Sequence, residues 1–581
     1  MSRTLSISIL LLALFVGQTP AQVLPDMEFV VREAAYHLPI NRLDPHVEFW
    51  LPWDRIFSCI YETPLRCDPD SDVLRLEPKL LVTLPTLSDD GTLLKMQFRK
   101  DVRFADDTCF EGGKGRAVTA HDFAFVLKRH LDPRTKSPYY NSYLAGSLLG
   151  ARRARAKAEK EGFFDYDLEV PGIKVIDDYK VELRFLRPYS RFPSLMTMTW
   201  LSIMPFEAVR KYGSGMASRP VGTGPYLYDD EASTASKLVF KRNSKYWNAA
   251  SGGTQSPPLP WNAGVEFIHL TDVKLQEKRF LDGDLSVVDL YPIQMGKFID
   301  KRGRLKSKSV PKRTRLVSAQ DDKLQYIAFN MTNKVLGKKK VRQALCLAID
   351  RDRVVSEYFS RMGDVSEHIC PPAIPIEAPG PLPWEYGNRD LDRARALLAE
   401  AGYPGGKGLP EFVLETTSKE KWEEDLTVAI KSAWAKIGVR VQVRLQDYNE
   451  MLVRIRKGLP QISINYWQSD YPDPDNFFMM LTRASWPARQ KTADSPNVGF
   501  YENQEYEKLY RKSMKLLSGK KRGKVFAEMV GIIQEDCPWV FLGHNRQVAL
   551  TARGVQGIYT RSRFSSSYAR VRRDASKNKN R

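Results

Sequence analysis

Between residues 388 and 477 the spacing of hydrophobic positions switches repeatedly between the helical and the strand period. Residues 391–401 predict a helix that ends at Gly402, because Pro404 follows two residues later. Residues 411–416 predict a strand. The next helix, which ends at Gly438, is indicated by one apolar face made of Ile430, Ala433, Trp434 and Ile437.

A half-buried strand follows, because apolar residues alternate with polar ones along residues 439–446. Asp447, with Glu450 three residues later, predicts the start of another helix. Residues 461–467 predict a further strand. The resulting β-α-β-α-β order is typical of an open α/β sheet with helical crossovers.

The strand at 461–467 runs directly into the sequence QSDYPDPDNFF. In open α/β sheets, ligands bind beyond the carboxyl ends of the strands. The candidate binding residues of this segment are Asp470, Tyr471, Asp473 and Asp475. The alternative is a turn rich in Asp and Pro that serves only the backbone.

Other segments carry local signals of the same kind. Alternating apolar residues predict strands around residues 181–185 and 265–269. Thr119 with Asp122 predicts a capped helix that ends before Pro133. The glycines in VGTGPY (221–226) do not match a dinucleotide-binding fingerprint and indicate a turn with close packing instead.

The N-terminus has the order of a secretory signal peptide: Arg3, an apolar run from Leu5 to Val16, and then small and polar residues. We expect cleavage near Ala21, with a buried N-terminal helix as the alternative. No later segment reaches the roughly 18 apolar residues of a spanning helix. Because no cysteine precedes Cys59, lipid anchoring is not expected. The predicted location is the periplasm.

The sequence lacks the common catalytic motifs: a phosphate loop, a nucleophile elbow and a zinc-binding HExxH helix. Its seven histidines are scattered rather than spaced as metal ligands, so neither a metal nor a cofactor is predicted. We therefore expect a binding protein and not an enzyme. An exported hydrolase would depend on paired carboxylates, for which Asp473 and Asp475 are the nearby candidates.

Six cysteines are too few for a disulfide-dense scaffold in a chain of 581 residues. Cys59 and Cys67 are close enough in sequence to form a bridge in an oxidising compartment. Buried free thiols are the alternative.

Nine segments, in this order, resemble the bacterial extracellular solute-binding proteins of family 5, whose members include the oligopeptide- and dipeptide-binding proteins of ABC importers. They are LDPH (43–46), LEPKLLVTLPTLSDDGTLLKMQFRKDVRF (76–104), TAHDFAFVLKR (119–129), VGTGPYLY (221–228), NSKYWN (243–248), YIAFNMTN (326–333), KKVRQALCLAIDRDRVV (339–355), DLDRARALLAEAGYPGGKGLP (390–410) and WQSDYPDPDNFF (467–478). Together they span nearly the whole mature chain.

The resemblance implies an α/β fold of the periplasmic-binding-protein type (type II), with two lobes that close on a ligand and an extra lobe inserted in the N-terminal half. The implied division is a signal peptide (1–21), lobe I (22–61, 216–317 and 539–565), lobe II (62–215), lobe III (318–538) and a basic disordered tail (566–581).

The resemblance also implies a function and a site. In peptide-binding members an extended peptide pairs through its main chain, and the aspartate of a W-x-x-D motif holds its α-ammonium. Here that motif is Trp467 to Asp470, with Trp467 and Tyr471 as wall residues. The main-chain contact of the opposite lobe corresponds to Phe49, Trp50 and Leu51, which are bulkier than is usual there.

The predicted partners are therefore a peptide or another small solute and an inner-membrane ABC transporter permease, with the receptor acting as a monomer. The open alternatives keep the fold but bind an oligosaccharide, a nickel complex or haem, or signal occupancy as a sensory subunit. Peptide length and side-chain preference are not readable from the sequence.

The formal net charge is +20. Residues 296–316 hold nine Lys or Arg against one Asp, residues 552–581 repeat that ratio, and residues 151–160 predict a basic helix. Such runs are usually solvated surface. The alternative is peripheral contact with an anionic membrane surface or an acidic transporter face. A sheet-bound aromatic pattern to accompany these basic runs is missing, and the predicted export argues further against nucleic acid.

Overall fold

The computed structural model describes residues 26–48, 53–69, 71–250, 259–300, 302–358, 363–377, 383–417, 421–487, 496–558 and 568–573. The strands are β1 (Asp26–Ala35), β2 (Leu65–Cys67), β3 (Leu76–Pro78), β4 (Thr86–Leu87), β5 (Leu93–Gln97), β6 (Ile173–Asp177), β7 (Lys180–Arg184), β8 (Tyr226–Tyr228), β9 (Lys237–Arg242), β10 (Asn262–His269), β11 (Val287–Asp289), β12 (Arg315–Gln320), β13 (Lys323–Phe329), β14 (Asp364–Val365), β15 (Phe412–Thr417), β16 (Val441–Gln446), β17 (Ile462–Gln468), β18 (Trp539–His544), β19 (Arg546–Thr551), β20 (Val555–Gln556) and β21 (Arg572–Arg573).

The α-helices are distributed over the whole described chain. They are α1 (Asp54–Ile60), α2 (Ala120–Leu131), α3 (Ala151–Glu161), α4 (Phe192–Leu195), α5 (Phe206–Tyr212), α6 (Trp247–Ala250), α7 (Val273–Leu281), α8 (Pro292–Phe298), α9 (Lys339–Leu347), α10 (Arg351–Tyr358), α11 (Leu391–Glu400), α12 (Lys421–Ala435), α13 (Tyr448–Arg456), α14 (Asp475–Phe478), α15 (Gln504–Ser513) and α16 (Lys520–Asp536). The predicted capping box at Thr119 and Asp122 is present at the start of α2.

Three larger sheets define three lobes. The sheet of lobe I has seven strands in the order β12-β19-β11-β1-β10-β9-β8. The sheet of lobe III has six strands in the order β14-β18-β13-β17-β15-β16, and the sheet of lobe II has four, β4-β5-β7-β6. Two-stranded ribbons, β2-β3 and β20-β21, complete the set within the described ranges.

The predicted β-α-β-α-β unit is confirmed in lobe III. It runs β15, α12, β16, α13 and β17, and β15 pairs in parallel with both β16 and β17. Asp447 caps α13 by accepting from the backbone N–H of Glu450 at 2.9 Å. The carboxyl end of β17 therefore lies at the edge of the sheet where this class of fold binds its ligands.

Two short connections join the main lobes. Asp321 and Asp322 lie between β12 and β13, and Asn545 lies between β18 and β19. The two run side by side, because the N–H of Asp321 donates to the carbonyl of Asn545 at 3.1 Å. We call these three residues the crossover. Strand pairing corrects the expected boundaries: β12 keeps lobe I to residue 320, and β18 belongs to lobe III because it pairs with β13 and β14.

Several family-like segments meet at a buried carboxylate between lobes I and II. Glu62 accepts hydrogen bonds from Tyr246 and Trp247, both at 2.7 Å, and from Thr223 at 2.9 Å, while Lys79 lies 3.3 Å away. These contacts bring the segments at 76–104, 221–228 and 243–248 together in the fold. The predicted close packing of VGTGPY is confirmed: a Cβ on Gly222 would lie 2.2 Å from the carbonyl oxygen of Ile60.

Residues 568–573 correct the expectation of a disordered tail. The side-chain amide of Asn262 donates to the carbonyls of Tyr568 and Val571 at 2.8 and 2.9 Å. Tyr568 is buried and donates its hydroxyl to Glu33 at 2.5 Å. These residues are ordered because their apolar side chains pack on lobe I. The predicted signal peptide and residues 574–581 lie outside the described residues.

All six cysteines are free thiols, and five of them are buried. Of the two alternatives for Cys59 and Cys67, the structure has the buried free thiols. Burial raises the pKa of both thiols, which keeps them protonated.

Candidate functional site

The predicted W-x-x-D motif lies at the carboxyl end of β17, with Trp467 in the strand and Asp470 just beyond it. Both side chains are half-buried. Tyr471 is 1% exposed, so it is mainly a packing residue rather than an open wall. The structure thus brings Trp467, Asp470 and Tyr471 together at one sheet edge.

Asn476 holds the motif from one side. Its side-chain oxygen accepts a hydrogen bond from the indole N–H of Trp467 at 2.8 Å and another from the backbone N–H of Asp470 at 3.0 Å. Asn476 is fully buried at the start of α14, so this oxygen occupies a fixed position. One amide therefore ties the first residue of the motif to the last.

Asp322 of the crossover holds the motif from the other side. Its carboxylate accepts from the hydroxyl of Ser469 at 2.5 Å and from the side-chain amide of Gln468 at 3.2 Å. Its carbonyl accepts from the backbone N–H of Ser469 at 3.1 Å. Asp322 is fully buried. The loop that carries Asp470 is thus bonded directly to the connection between the two main lobes.

The neighbouring carboxyl group of Asp321 is also buried in the crossover. Its oxygens lie 3.3 Å from the amide of Gln547 and 3.8 Å from the ammonium of Lys323. Burial raises the pKa of Asp321 to about 7, with Lys323 opposing this rise and the adjacent Asp322 adding to it.

Asp473 and Asp475 are both engaged by arginines. Asp475 is fully buried, 2.9 Å from Arg191 of lobe II, and it accepts from the hydroxyl of Tyr471 at 2.8 Å. Asp473 pairs with the buried Arg522 at 2.7 Å and accepts from Ser194 of lobe II at 3.1 Å. These two aspartates therefore join lobe III to lobe II.

An aromatic stack of lobe II, which was not predicted from the sequence, reaches the Asp470 loop. Trp200 packs against both Tyr139 and Tyr143, with ring centroids 5.2 and 5.4 Å away and nearly parallel planes, and the two tyrosine rings lie 6.4 Å apart. Tyr143 contacts Tyr471 edge to face at 6.3 Å. Burial raises the pKa of Tyr143 well above its usual value, and the charge of Asp470 raises it further.

A sequence signal for this stack existed. Tyrosines at 139, 140 and 143 occur within five residues, and a spacing of four places two of them on one helical face. Residues Tyr140–Leu144 form a π-helix, a rare conformation that is frequent at functional sites.

On the lobe I side, Phe49, Trp50 and Leu51 lie outside the described residues. The residue before them is located, since the hydroxyl of Tyr139 donates to the carbonyl of Glu48 at 2.6 Å. The same aromatic stack therefore contacts the segment that leads to Phe49 and the loop that carries Asp470.

The LDPH segment anchors this part of lobe I. Asp44 forms a buried ion pair with Arg129 of α2 at 2.5 Å, and Arg129 also contacts the ring nitrogen Nδ1 of His46 at 2.9 Å. Burial and the adjacent guanidinium lower the pKa of His46 to about 4, so the ring is neutral. The segment is structural and fixes the loop before Phe49.

Within the described ranges there is neither a metal-binding cluster nor a membrane-spanning helix. No three His, Cys, Asp or Glu side chains in them converge as ligands for a metal ion. None of the helices in them has the length and apolar character needed to cross a bilayer.

A family model for the bacterial extracellular solute-binding proteins, family 5 (middle), matches residues 75–488. The chain belongs to this family. A family 5 protein is a solute-binding component of an ABC transporter, which agrees with the fold and function that the sequence resemblance implied.

Three similar proteins illustrate the range of this family. Heme-binding protein A of Haemophilus influenzae is 26% identical over 491 residues, covering 82% of this chain and 80% of that protein. The periplasmic oligopeptide-binding protein OppA of Salmonella typhimurium is 26% identical over 532 residues, covering 90% and 88%. The unliganded open form of MppA, a periplasmic murein tripeptide binding protein, superimposes with a TM-score of 0.77 at 20% identity, covering 95% and 99%.

Proposed function

We propose that this protein is a periplasmic receptor that binds peptides between lobes I and III and delivers them to an ABC permease, acting as a monomer. The observation that carries the proposal is the fixed position of Asp470. Asn476 accepts from the backbone N–H of Asp470 and Asp322 bonds to the neighbouring Ser469, so the backbone that carries the carboxylate is held from two sides. A carboxylate held in this way suits an α-ammonium group.

The surroundings of Asp470 support a peptide ligand. The buried stack of Tyr139, Trp200 and Tyr143 packs behind the Asp470 loop through Tyr471, which helps to hold the loop in place. The similarity to OppA, a periplasmic oligopeptide-binding protein, supports both the ligand class and the location.

We also propose binding without catalysis. Asp473 and Asp475 were the candidate pair for an exported hydrolase. Each is buried against an arginine, Arg522 and Arg191 respectively, so neither carboxylate is disposed to act on a ligand. Their role is to join lobes II and III.

The first experiment is mass spectrometry of the small molecules that the purified protein releases on denaturation. Short peptides support the proposal, whereas a sugar or a metal chelate contradicts the peptide assignment. Binding of free-amine and N-acetylated peptides to the Asp470→Ala variant then tests the site. We expect about a tenfold to hundredfold loss for free-amine peptides and little change for acetylated ones.

The exposed Asp352 on α10 offers a matched control in the same lobe. Asp352→Ala removes the same charge and should leave both affinities unchanged. Equal losses for free-amine and acetylated peptides in Asp470→Ala would contradict the role given to Asp470.

A second candidate ligand is haem. The exposed His37 and His269 lie at the carboxyl ends of β1 and β10, with ring centroids 6.4 Å apart, and the ring of Tyr36 contacts His37 at 4.9 Å. Imidazole and phenolate are both haem ligands. The similarity to Heme-binding protein A favours this test. Haem binding through these residues would give a Soret shift on titration with hemin, and the shift would be lost in His37→Ala or His269→Ala.

A further inference from the structure

Lobe I carries a strongly basic surface that ligand binding does not use. Residues 302–320, 546–558 and 568–573 contain seven, two and three Lys or Arg and no Asp or Glu. Eight of these cations are exposed, and we call them the basic pole: Arg302, Arg304, Lys306, Lys308, Lys312, Arg313, Arg315 and Arg553.

The fold brings these distant segments together. Strands β12 and β19 pair with Arg315 opposite Thr551, so the turn that carries Arg553 lies beside the start of β12. The ribbon β20-β21 adds Arg572 and Arg573, which pair with Gln556 and Val555. The two basic runs of the sequence therefore form one surface.

The basic pole lies at the end of the lobe I sheet that faces away from lobe III. Gln320, the last residue of β12, pairs with Arg546 beside the crossover, whereas Arg315 is at the other end of the strand. Five residues of β-strand span about 17 Å. A partner bound at the basic pole would leave the crossover and the Asp470 loop uncovered.

The surface is suited to a partner with many spread-out negative charges. Asp300 neutralises Arg304 at 2.9 Å, but the three segments themselves supply no acid. Apart from Arg315 at the start of β12, the cations of the basic pole lie outside the strands and are spread over two segments of the chain. The aromatic rings at this end, Trp261 and Phe29, are covered by Arg572 and Arg573, so they offer no stacking platform for nucleic acid bases.

We propose that the basic pole binds the anionic phospholipid headgroups of a membrane surface, with lobe I resting on the bilayer and the ligand site left uncovered. Each Lys or Arg near an anionic bilayer strengthens binding by about fivefold, and the attraction decays within a Debye length. Several such residues acting together give reversible association without any apolar insertion. The proposal is independent of the identity of the ligand.

The test is cosedimentation of the purified protein with vesicles of phosphatidylcholine alone and with an equal part of phosphatidylglycerol. We expect binding to the anionic vesicles alone, reversed by roughly 0.5 M salt. A variant with Lys306, Lys308, Lys312 and Arg315 changed to Gln should lose at least about tenfold in vesicle affinity.

Helix α3 provides a charge-matched control. Changing its exposed Arg152, Arg153, Lys157 and Lys160 to Gln removes the same net charge from lobe II. This control should still bind anionic vesicles. An equal loss of vesicle affinity in both variants would show that only net charge matters and would overturn the proposal. Equal binding of the unaltered protein to pure phosphatidylcholine vesicles, or no binding to either kind of vesicle, would overturn it as well. Failure to bind vesicles combined with binding to an acidic protein surface would also overturn it.

Discussion

The hydroxyl of Ser469 donates a 2.5 Å hydrogen bond to the carboxylate of Asp322. Ser469 precedes the candidate ligand residue Asp470, and Asp322 belongs to the crossover between the main lobes. A force on the Asp470 loop therefore reaches the crossover through this buried contact and through the hydrogen bonds of Gln468 and of the Ser469 backbone beside it. Ligand contact and the relative orientation of the lobes should be energetically coupled through this pair.

Removing the hydroxyl of Ser469 should lower both the stability of the protein and its affinity for peptides. In Ser469→Ala, Asp322 loses its shortest hydrogen bond in a buried environment, which costs about 1–3 kcal/mol of unfolding free energy. We expect affinity for free-amine peptides to fall by about 0.5–2 kcal/mol as well. Urea unfolding and calorimetric titration measure the two effects.

Ser463→Ala is the control, because Ser463 is equally buried in β17 but its hydroxyl accepts from Asn465, away from the loop. It should lose stability and keep its peptide affinity. An unchanged affinity in Ser469→Ala would contradict the coupling.

The side-chain amide of Asn476 should be as important for the site as the hydroxyl of Ser469. Asn476→Ala leaves the backbone N–H of Asp470 and the indole of Trp467 without their common acceptor, so the loop loses its fixed position. We expect affinity for free-amine peptides to fall about tenfold.

Asn497 serves for comparison, since it is also fully buried in lobe III and bonds to Thr482 and Tyr501. Asn497→Ala should lower the melting temperature to a similar degree but bind peptide normally. Parallel losses of affinity in both variants would indicate a general structural effect rather than positioning.

The ion pair of Arg191 and Asp475 should contribute strongly to stability. In Arg191→Met a fully buried carboxylate loses its counter-ion, which costs about 3–5 kcal/mol. The exposed pair of Lys340 and Glu400, at 2.7 Å, provides the contrast, and Lys340→Met should cost under about 1 kcal/mol. Urea unfolding of both variants measures the two losses of unfolding free energy. A loss for Arg191→Met no larger than that for Lys340→Met would contradict the prediction.

The buried carboxyl group of Asp321 predicts a pH dependence of stability. Its folded pKa of about 7 lies above the ordinary value of 3.8, so the folded state holds a proton that the unfolded chain releases. The stability that this proton contributes is present below about pH 4 and is lost as the pH rises through about 7.

The Asp321→Asn variant isolates this effect. The melting temperature of the variant minus that of the unaltered protein should increase between about pH 4 and 7 and should remain constant above about pH 7. The difference is needed because the pKa values of His46, His368 and His544 are lowered to about 4 by burial, which destabilises both proteins as the pH falls. A difference that does not change with pH would contradict the raised pKa.

Local patterns predicted the elements of lobe III because the sequence signals and the final contacts lie close together. The alternation at 439–446 and the cap at Asp447 both depend on neighbours within a few residues. The W-x-x-D motif was found through resemblance, and its place after β17 followed from strand periodicity. The close approach at Gly222 was also predictable, because only glycine fits against the backbone there.

The features that escaped prediction depend on partners far away in sequence. Asp322 contacts Ser469 across 147 residues, and Arg191 contacts Asp475 across 284. No local pattern encodes such pairs. The segment at 568–573 looked like a basic tail because its arginines dominate the composition, whereas its order depends on Asn262, some 306 residues earlier.

The strand order also determines which lobes can fold first as the chain becomes available from its N-terminus onward. Strand β19 lies inside the lobe I sheet, between β12 and β11, and β18 lies inside the lobe III sheet, between β14 and β13. Neither main sheet is continuous until residues 539–551 arrive, whereas the four strands of lobe II are complete by Arg184. Lobe II can therefore form early, and one late segment, residues 539–551, attaches β12 and β14 and so completes both main sheets together.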